Sequence, residues 1–174
     1  MHEMDDRTKQ QRDRLGGRFD AEAWPVDDGG VVVKGFDFGP DDIPGYRLHR
    51  VVSPPARPGT VAARQSVWVD ETKPAEEDAI VLVDVYECAS NADARNVLLD
   101  LLGEIESAEV ERIDGVGSVA FSPGEGSVLF VRGNLAVQVQ SGGPGVASVR
   151  DNAQGFDARL RDPRSPGKSE DVGP

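Results

Sequence analysis

The sequence predicts an α+β fold, an antiparallel sheet of about six or seven strands with two main helices packed on it. Between Ala79 and Cys88 apolar residues occupy both faces of a strand, which is typical of a central strand covered on both sides. The segment that follows carries apolar residues at i, i+3, i+4 and i+7, the spacing of one buried helix face. Further along, a Gly-Asn pair joins two apolar runs, as in a tight β-hairpin.

The first part of the chain is predicted to hold a lead-in followed by three strands. Residues 1–30 form a flexible or partly helical lead-in, in which Asp5–Leu15 could be a short helix stopped by Gly16-Gly17. The loop over residues 53–59 contains three prolines, which lack the backbone donors that a sheet interior needs. The alternation of apolar residues predicts strands over Val31–Phe38, Tyr46–Val52 and Val61–Asp70.

The second part is predicted to add a capped helix, three strands and a closing helix. Ser90 followed by Asp93 is close to a capping box, and the apolar helical positions after it run to Ile105. The next strand is predicted over Val116–Phe121. The hairpin is predicted from Ser127–Arg132 and Leu135–Gln140, joined by Gly133-Asn134 in a type II′ turn. Helical spacing predicts a last helix through Val149, Ala153, Phe156 and Leu160.

One domain is predicted, over residues 31–161. A chain of 174 residues suits a single domain of ordinary size. Residues 162–174 are rich in charge, proline and glycine, and we expect them to be disordered.

Composition excludes several classes of function. The net charge of −12 argues against binding to nucleic acid, whose phosphates would be repelled, and favours a protein partner. One cysteine and two histidines cannot supply a Cys/His zinc cluster, and we predict no metal and no cofactor. No run approaches 18 apolar residues, so no membrane span is expected. The first 20 residues lack the apolar core of a signal peptide, which predicts a cytoplasmic protein; export would need a signal sequence upstream of Met1.

The stretch from residue 83 to residue 160 carries a recognisable succession of patterns. A strand ending in a tyrosine pattern (VDVYECAS) precedes a helix with an Asp-Ala pair (ADAR) and a Gly-Val-Gly strand (GVGSVAFS). The hairpin VLFVRGNLAVQV and the closing helix VRDNAQGFDARL follow. This succession resembles small α+β domains of unknown function in bacterial and archaeal exported proteins and lipoproteins. The resemblance implies an antiparallel sheet with helices packed on it, used for binding or assembly.

The distribution of charge gives the main functional prediction. Between residues 43 and 69 there are four arginines and no acidic residue, although the chain as a whole is acidic. Arginine offers bidentate donors, so this strand-loop-strand could bind an anionic ligand or partner. The alternative is that these arginines pair across the sheet with the acidic segment after Asp70 and stabilise little. The predicted binding residues are Arg47, His49, Arg50 and Arg64.

Two further residues could carry chemistry. Cys88 could pair with His49 if their strands are neighbours, since a helix that begins near Ser90 could lower the pKa of the thiol. The simpler interpretation is that Cys88 is a small buried side chain and that His49 is exposed on its strand. Asp84 interrupts an apolar face, and either Arg47 or Arg50 could pair with it; exposure at a sheet edge is the other possibility.

The remaining polar clusters give weak signals. The run Gly142–Gly145 precedes a helix but lacks the Lys-Ser/Thr of a phosphate-binding loop, and we expect a flexible connection. Asp41-Asp42 and Glu76-Glu77-Asp78 lack calcium-loop spacing and are expected to be solvated turns. No catalytic constellation emerges, so the sequence predicts a non-catalytic binding or assembly module. The alternatives are an enzyme acting on a small anionic substrate and a ligand-sensing domain of an exported protein.

Overall fold

A computed structural model describes residues 6–25, 32–55, 57–72, 79–105, 109–124, 126–143 and 148–161. The strands are β1 (Tyr46–Val52), β2 (Thr60–Asp70), β3 (Ile80–Cys88), β4 (Glu111–Ile113), β5 (Val119–Gly124), β6 (Ser127–Arg132) and β7 (Leu135–Ser141). The helices are α1 (Asp6–Arg18), α2 (Asn91–Gly103) and α3 (Val149–Arg161), with a short 3-10 helix over Ala21–Ala23.

The seven strands form one antiparallel sheet in the order β1-β2-β3-β7-β6-β5-β4. This confirms the predicted α+β class. The two predicted main helices correspond to α2 and α3, which pack on opposite faces of the sheet. Among the described helices, none is long and apolar enough to cross a membrane.

β3 is the central strand that its sequence predicts. It pairs with β2 on one side and with β7 on the other. Val81, Val83 and Val85 face one layer of the protein and are at most 1% exposed, whereas Tyr86 and Cys88 are buried in the other layer. Because both faces are covered at this end of the strand, the usual alternation of apolar and polar residues is absent.

One face of the sheet is covered by α3 and by the chain between residues 32 and 43. Trp68 and Phe156 are completely buried there. The ring of Phe38 lies between them, with centroid distances of 6.3 Å to Trp68 and 5.9 Å to Phe156. Aromatic side chains of this size remove a large apolar area from water, so this layer makes a major contribution to the stability of the fold.

The other face is covered by α2 over β6, β7 and the end of β3. The Oγ atom of Ser90 accepts a hydrogen bond from the backbone N–H of Asp93 at 3.1 Å, which confirms the predicted N-cap of α2. α1 packs on the outside of α2, where Arg12 donates to both carboxylate oxygens of Asp100 at 3.0 and 2.7 Å. Behind α1, the rings of Phe19 and Trp24 contact Phe121 of β5 and extend the cover to that strand.

The N-terminal helix is longer than its own sequence indicates. We expected an end at Leu15 before two glycines, but α1 continues through Gly16-Gly17 to Arg18. Leu15 is buried against α2, and a Cβ placed on Gly103 would lie 2.7 Å from its Cδ1 atom. Packing of this closeness supports a helix that propensity alone would not hold.

The predicted strand Val31–Phe38 is wrong over residues 32–38, which run as irregular chain. The backbone N–H and C=O of Val33 bond to the side-chain amide of Asn134 at 2.8 and 2.7 Å. The N–H of Phe36 donates to Glu87 Oε1 at 2.7 Å. β3 is already paired with β2 on one side and β7 on the other, so residues 32–38 cannot pair with it as a strand. Their backbone groups bond to the side chains of Asn134 and Glu87 instead. The apolar alternation reflects burial in the first layer, not pairing in the sheet.

The strands before the hairpin also differ from expectation. The strand predicted over Val116–Phe121 begins at Val119 and continues through Gly124. β4, over Glu111–Ile113, was not predicted; three residues are too few to show a period. The hairpin itself is confirmed, since Phe130 lies opposite Val137 as its register predicts.

Candidate functional site

The four predicted binding residues lie on the outer strands, but not on one surface. β1 is an edge of the sheet, and Arg47, His49 and Arg50 are exposed along it. Arg47 lies opposite Val69 and Arg50 opposite Val67, so these two arginines share the face that α2 covers elsewhere. Along β2, Arg64 is an odd number of residues from Val67 and Val69, so its side chain points to the opposite face of the sheet.

The environments of these residues also differ. Arg47 Nε lies 3.0 Å from Glu71 Oε1, but both side chains are more than half exposed, so the pair stabilises little. Arg64 Nη1 donates to Ser53 Oγ at 3.1 Å, while its Nε is buried without a hydrogen-bond partner. Within the described part of the chain, Arg50 makes no ion pair. Of the three predicted arginines, Arg47 and Arg50 are therefore the two that are exposed to an external anion.

His49 and Cys88 do not form a pair. His49 sits at a β-bulge between Leu48 and Arg50. Its level in the register corresponds to Leu82 of β3, six residues from Cys88, or roughly 20 Å along the strand. Cys88 is buried, and burial raises the pKa of its thiol to about 12, so it is a poor nucleophile near neutral pH.

In the part of the chain that the structure describes, some of the sheet face beside α2 has no helix over it. The helix contacts β6, β7, β3 and, where Ala63 packs against its cluster, β2, while the side chains farther along β2 and β3, at Gln65, Val67 and Leu82, are only half-buried. We call this region the open face. It consists of Arg47, Arg50, Gln65, Val67, Leu82, Asp84 and Gln138.

Asp84 occupies the centre of the open face. In the register it lies directly opposite Gln65 of β2 and Gln138 of β7. Its side chain is only 6% exposed, and the Gln65 side chain hydrogen-bonds to its carboxyl group. The Oδ1 atom is buried with no partner. Burial raises the pKa of Asp84 above its ordinary value, because a desolvated carboxylate is disfavoured.

This environment excludes both sequence-based interpretations of Asp84. It does not lie at a sheet edge, since β3 is central. Nor does it pair with Arg47 or Arg50: among the residues that the structure describes, no cation forms an ion pair with it. An unpaired carboxylate in a buried position costs folding free energy, about 1–3 kcal/mol for a polar group without its partner. Asp84 is therefore a destabilising residue on an otherwise well-packed strand.

Arg57, Tyr86 and Glu104 close one side of the open face. The Arg57 guanidinium lies 5.3 Å from the centroid of the Tyr86 ring and donates to both Glu104 carboxylate oxygens at 2.6 and 2.8 Å. The bonds from Arg57 lower the pKa of Glu104. This cluster joins the β1–β2 loop to the end of α2. No local sequence pattern predicts the contact between Arg57 and Glu104, because 47 residues separate them.

The remaining candidates do not form ligand sites. Among the described residues, no group of three or more His, Cys, Asp or Glu side chains could hold a metal ion. Asp42 was expected to be solvated but is only 2% exposed; it accepts a hydrogen bond from Gly39 N–H at 2.9 Å and closes a turn. Burial raises its pKa. Residues 144–147 of the glycine run and Glu76-Glu77-Asp78 lie outside the described residues, as does the tail 162–174.

The open face therefore combines exposed cations at the edge of the sheet with a buried, unpaired anion near its centre. Its half-buried apolar side chains, Val67 and Leu82, lie between them. No protein-family model, no curated protein and no solved structure matches this chain.

Proposed function

We propose that this protein is a non-catalytic binding or assembly module, and that the open face is where its protein partner docks. The observation that carries the proposal is the position of Arg47 and Arg50. Both lie on an edge strand, on the same face of the sheet as Val67 and Val69, and both are exposed. Carboxylates of the partner would bind these guanidinium groups through charge-assisted hydrogen bonds.

The chemistry of the candidate residues supports binding more than catalysis. A reaction centre needs a nucleophile or base within hydrogen-bond reach of its partner. His49 is exposed on β1, and Cys88 is buried at the far end of β3 with a raised pKa. The open face, a broad region of sheet bordered by one edge strand, resembles an interface in its mixture of apolar and charged groups.

The charge of the chain favours a different protein over a second copy of itself as the partner. Antiparallel pairing of β1 with the β1 of a second copy would bring Arg47 and Arg50 of the two chains close together. The net charge of −12 also repels a second copy at long range. A partner with an acidic strand or loop avoids the arginine–arginine repulsion and pairs with these side chains.

The test compares wild type with Arg47→Glu/Arg50→Glu as bait in lysate of the source cells. The matched control is Arg112→Glu/Arg150→Glu, which changes the net charge equally at exposed positions on β4 and α3. We expect wild type and control to capture the same protein and added salt to release it. Arg47→Glu/Arg50→Glu, the β1 variant, should fail to capture it. Capture of the same proteins by all three baits would refute the proposal.

A further inference from the structure

We infer that the partner inserts a lysine side chain into the open face and that its ammonium group pairs with the Asp84 carboxylate. This inference rests on the proposed binding function and adds the central contact of the interface. The partner surface would then carry a lysine flanked by carboxylates, with the lysine at Asp84 and the carboxylates at Arg47 and Arg50.

The unsatisfied state of Asp84 in the described structure is the first argument. A buried carboxylate normally has a cation or several donors around it, because desolvation otherwise costs several kcal/mol. Here Gln65 bonds to the carboxyl group, but Oδ1 has no partner. Gln65 and Gln138 on either side also carry amide oxygens that can accept from an ammonium group. The three side chains together form an acceptor-rich site with no donor of positive charge.

The charged groups around Asp84 do not supply the missing cation. Arg57 is the nearest cation that acts on its pKa, but its guanidinium is held by both oxygens of Glu104 and lies over Tyr86. The Arg57 charge lowers the pKa of Asp84 without an ion pair between them, because the guanidinium forms its ion pair with Glu104. A cation from outside the chain would complete this site.

The shape of the site favours a lysine of a protein over arginine or a small amine. A guanidinium binds best across both carboxylate oxygens, whereas one unpaired oxygen suits the compact charge of an ammonium group. The four methylenes of lysine would lie along the half-buried Val67 and Leu82. Small molecules bind mainly in concave pockets, and the open face is a sheet surface.

Access to Asp84 requires a local rearrangement. The Oδ1 atom is shielded from solvent, while Gln65 and Gln138 beside it are only half-buried. The lysine reaches the carboxylate when these two side chains change rotamer, a kind of movement that is common when protein interfaces form.

The test uses n-butylammonium, which has the length and charge of a lysine side chain, with the ¹⁵N-labelled full chain near neutral pH. We expect it to shift the amide signals of Gln65, Asp84 and Gln138 in wild type at concentrations up to about 100 mM. In Asp84→Asn, which retains the shape and the bond to Gln65, the apparent affinity should fall at least about tenfold. The response in wild type should also weaken in acid, as Asp84 takes up a proton.

Two controls make the outcome decisive. Asp42→Asn removes another buried carboxylate, on the opposite face, and should leave the response unchanged. n-Butanol has the same chain length without charge and should cause no shift at Asp84. Equal responses to the two compounds, or an unchanged response in Asp84→Asn, would overturn the inference, as would no response in wild type.

A third compound separates this inference from the proposed function. Butyrate is an anion of similar size and should shift the amides of Arg47 and Arg50 in both wild type and Asp84→Asn. If butyrate acts at the arginines and butylammonium fails at Asp84, only the lysine contact is refuted. If both fail, and the β1 variant captures the same proteins as wild type, the binding function is refuted with it.

Discussion

The two halves of the sheet differ in what covers them. In the half formed by β5, β6 and the start of β7, helices or buried chain lie on both faces, and Phe130 and Leu129, which point to opposite sides, are completely buried. In the half formed by β1 and β2, the face bearing Tyr46, Leu48 and Trp68 is covered, whereas on the other face α2 contacts β2 and the side chains of Gln65 and Val67 stay half-buried. The covered half therefore contributes most of the buried core, and the half formed by β1 and β2 leaves polar and charged side chains accessible to a partner.

Ion pairs follow the same division. In the covered half, Arg132 Nε lies 2.8 Å from Asp157 Oδ1, and Asp157 also accepts from Gly117 N–H at 2.9 Å. Both side chains are at most 15% exposed. In the other half, Arg47 and Glu71 meet in solvent. An arginine–carboxylate pair therefore stabilises the fold in the covered half. In the other half it contributes little, because water screens the exposed charges.

The largest effect is expected from Phe130→Ala in the covered half. The side chain is 0% exposed, so its removal leaves a cavity and should lower the free energy of unfolding by about 3–5 kcal/mol. Val67→Ala on the open face should cost less than about 1 kcal/mol, since Val67 is only half-buried. Urea denaturation of both variants measures the contrast. Equal losses would show that the two halves share one continuous core.

The ion pairs give the next largest contrast. Asp157→Ala leaves the Arg132 guanidinium without its carboxylate and should cost about 3 kcal/mol. Arg47→Ala removes only an exposed pair and should change stability by less than about 0.5 kcal/mol. The same denaturation experiment compares them. A cost above about 1.5 kcal/mol for Arg47→Ala, three times the expected limit, would contradict this difference between the two regions.

A gain of stability is expected from Asp84→Asn. Burial raises the folded-state pKa of Asp84 above its ordinary value of 3.8, so proton uptake favours the folded state. Wild type keeps this contribution below about pH 4 and loses it as the pH rises through the folded pKa. The variant should therefore be more stable than wild type by about 1–2 kcal/mol near neutral pH, and the difference should vanish in acid. Thermal unfolding from acid to neutral pH measures it, and a less stable variant at neutral pH would contradict an unpaired Asp84.

The features that sequence reasoning predicted are those set by local patterns. β3, α2 with its Ser90 cap and the β6–β7 hairpin each depend on neighbouring residues, and each is present. The stretch 32–38 was misassigned because its alternation arises from burial of Phe36 and Phe38 under α3, while its backbone bonds to distant side chains. Alternation alone cannot distinguish these two causes.

The candidate site was only partly predictable for the same reason. The arginine-rich stretch marked Arg47 and Arg50, but the face of each side chain depends on the bulge at His49 and on the register with β2. Asp84 is a charge on an apolar strand in the sequence, but the absence of a hydrogen-bond partner for its Oδ1 atom among the described residues depends on the tertiary structure. The Arg57–Glu104 contact depends on where the end of α2 meets the β1–β2 loop. Such contacts are fixed by tertiary packing.

The most direct test of the division is one variant assayed in two ways. Arg47→Glu/Arg50→Glu/Asp84→Asn alters the open face and leaves the covered half intact. The account predicts thermal unfolding at a temperature no lower than that of wild type, together with loss of the salt-sensitive protein that wild type captures. An early unfolding transition, or undiminished capture of that protein, would contradict it.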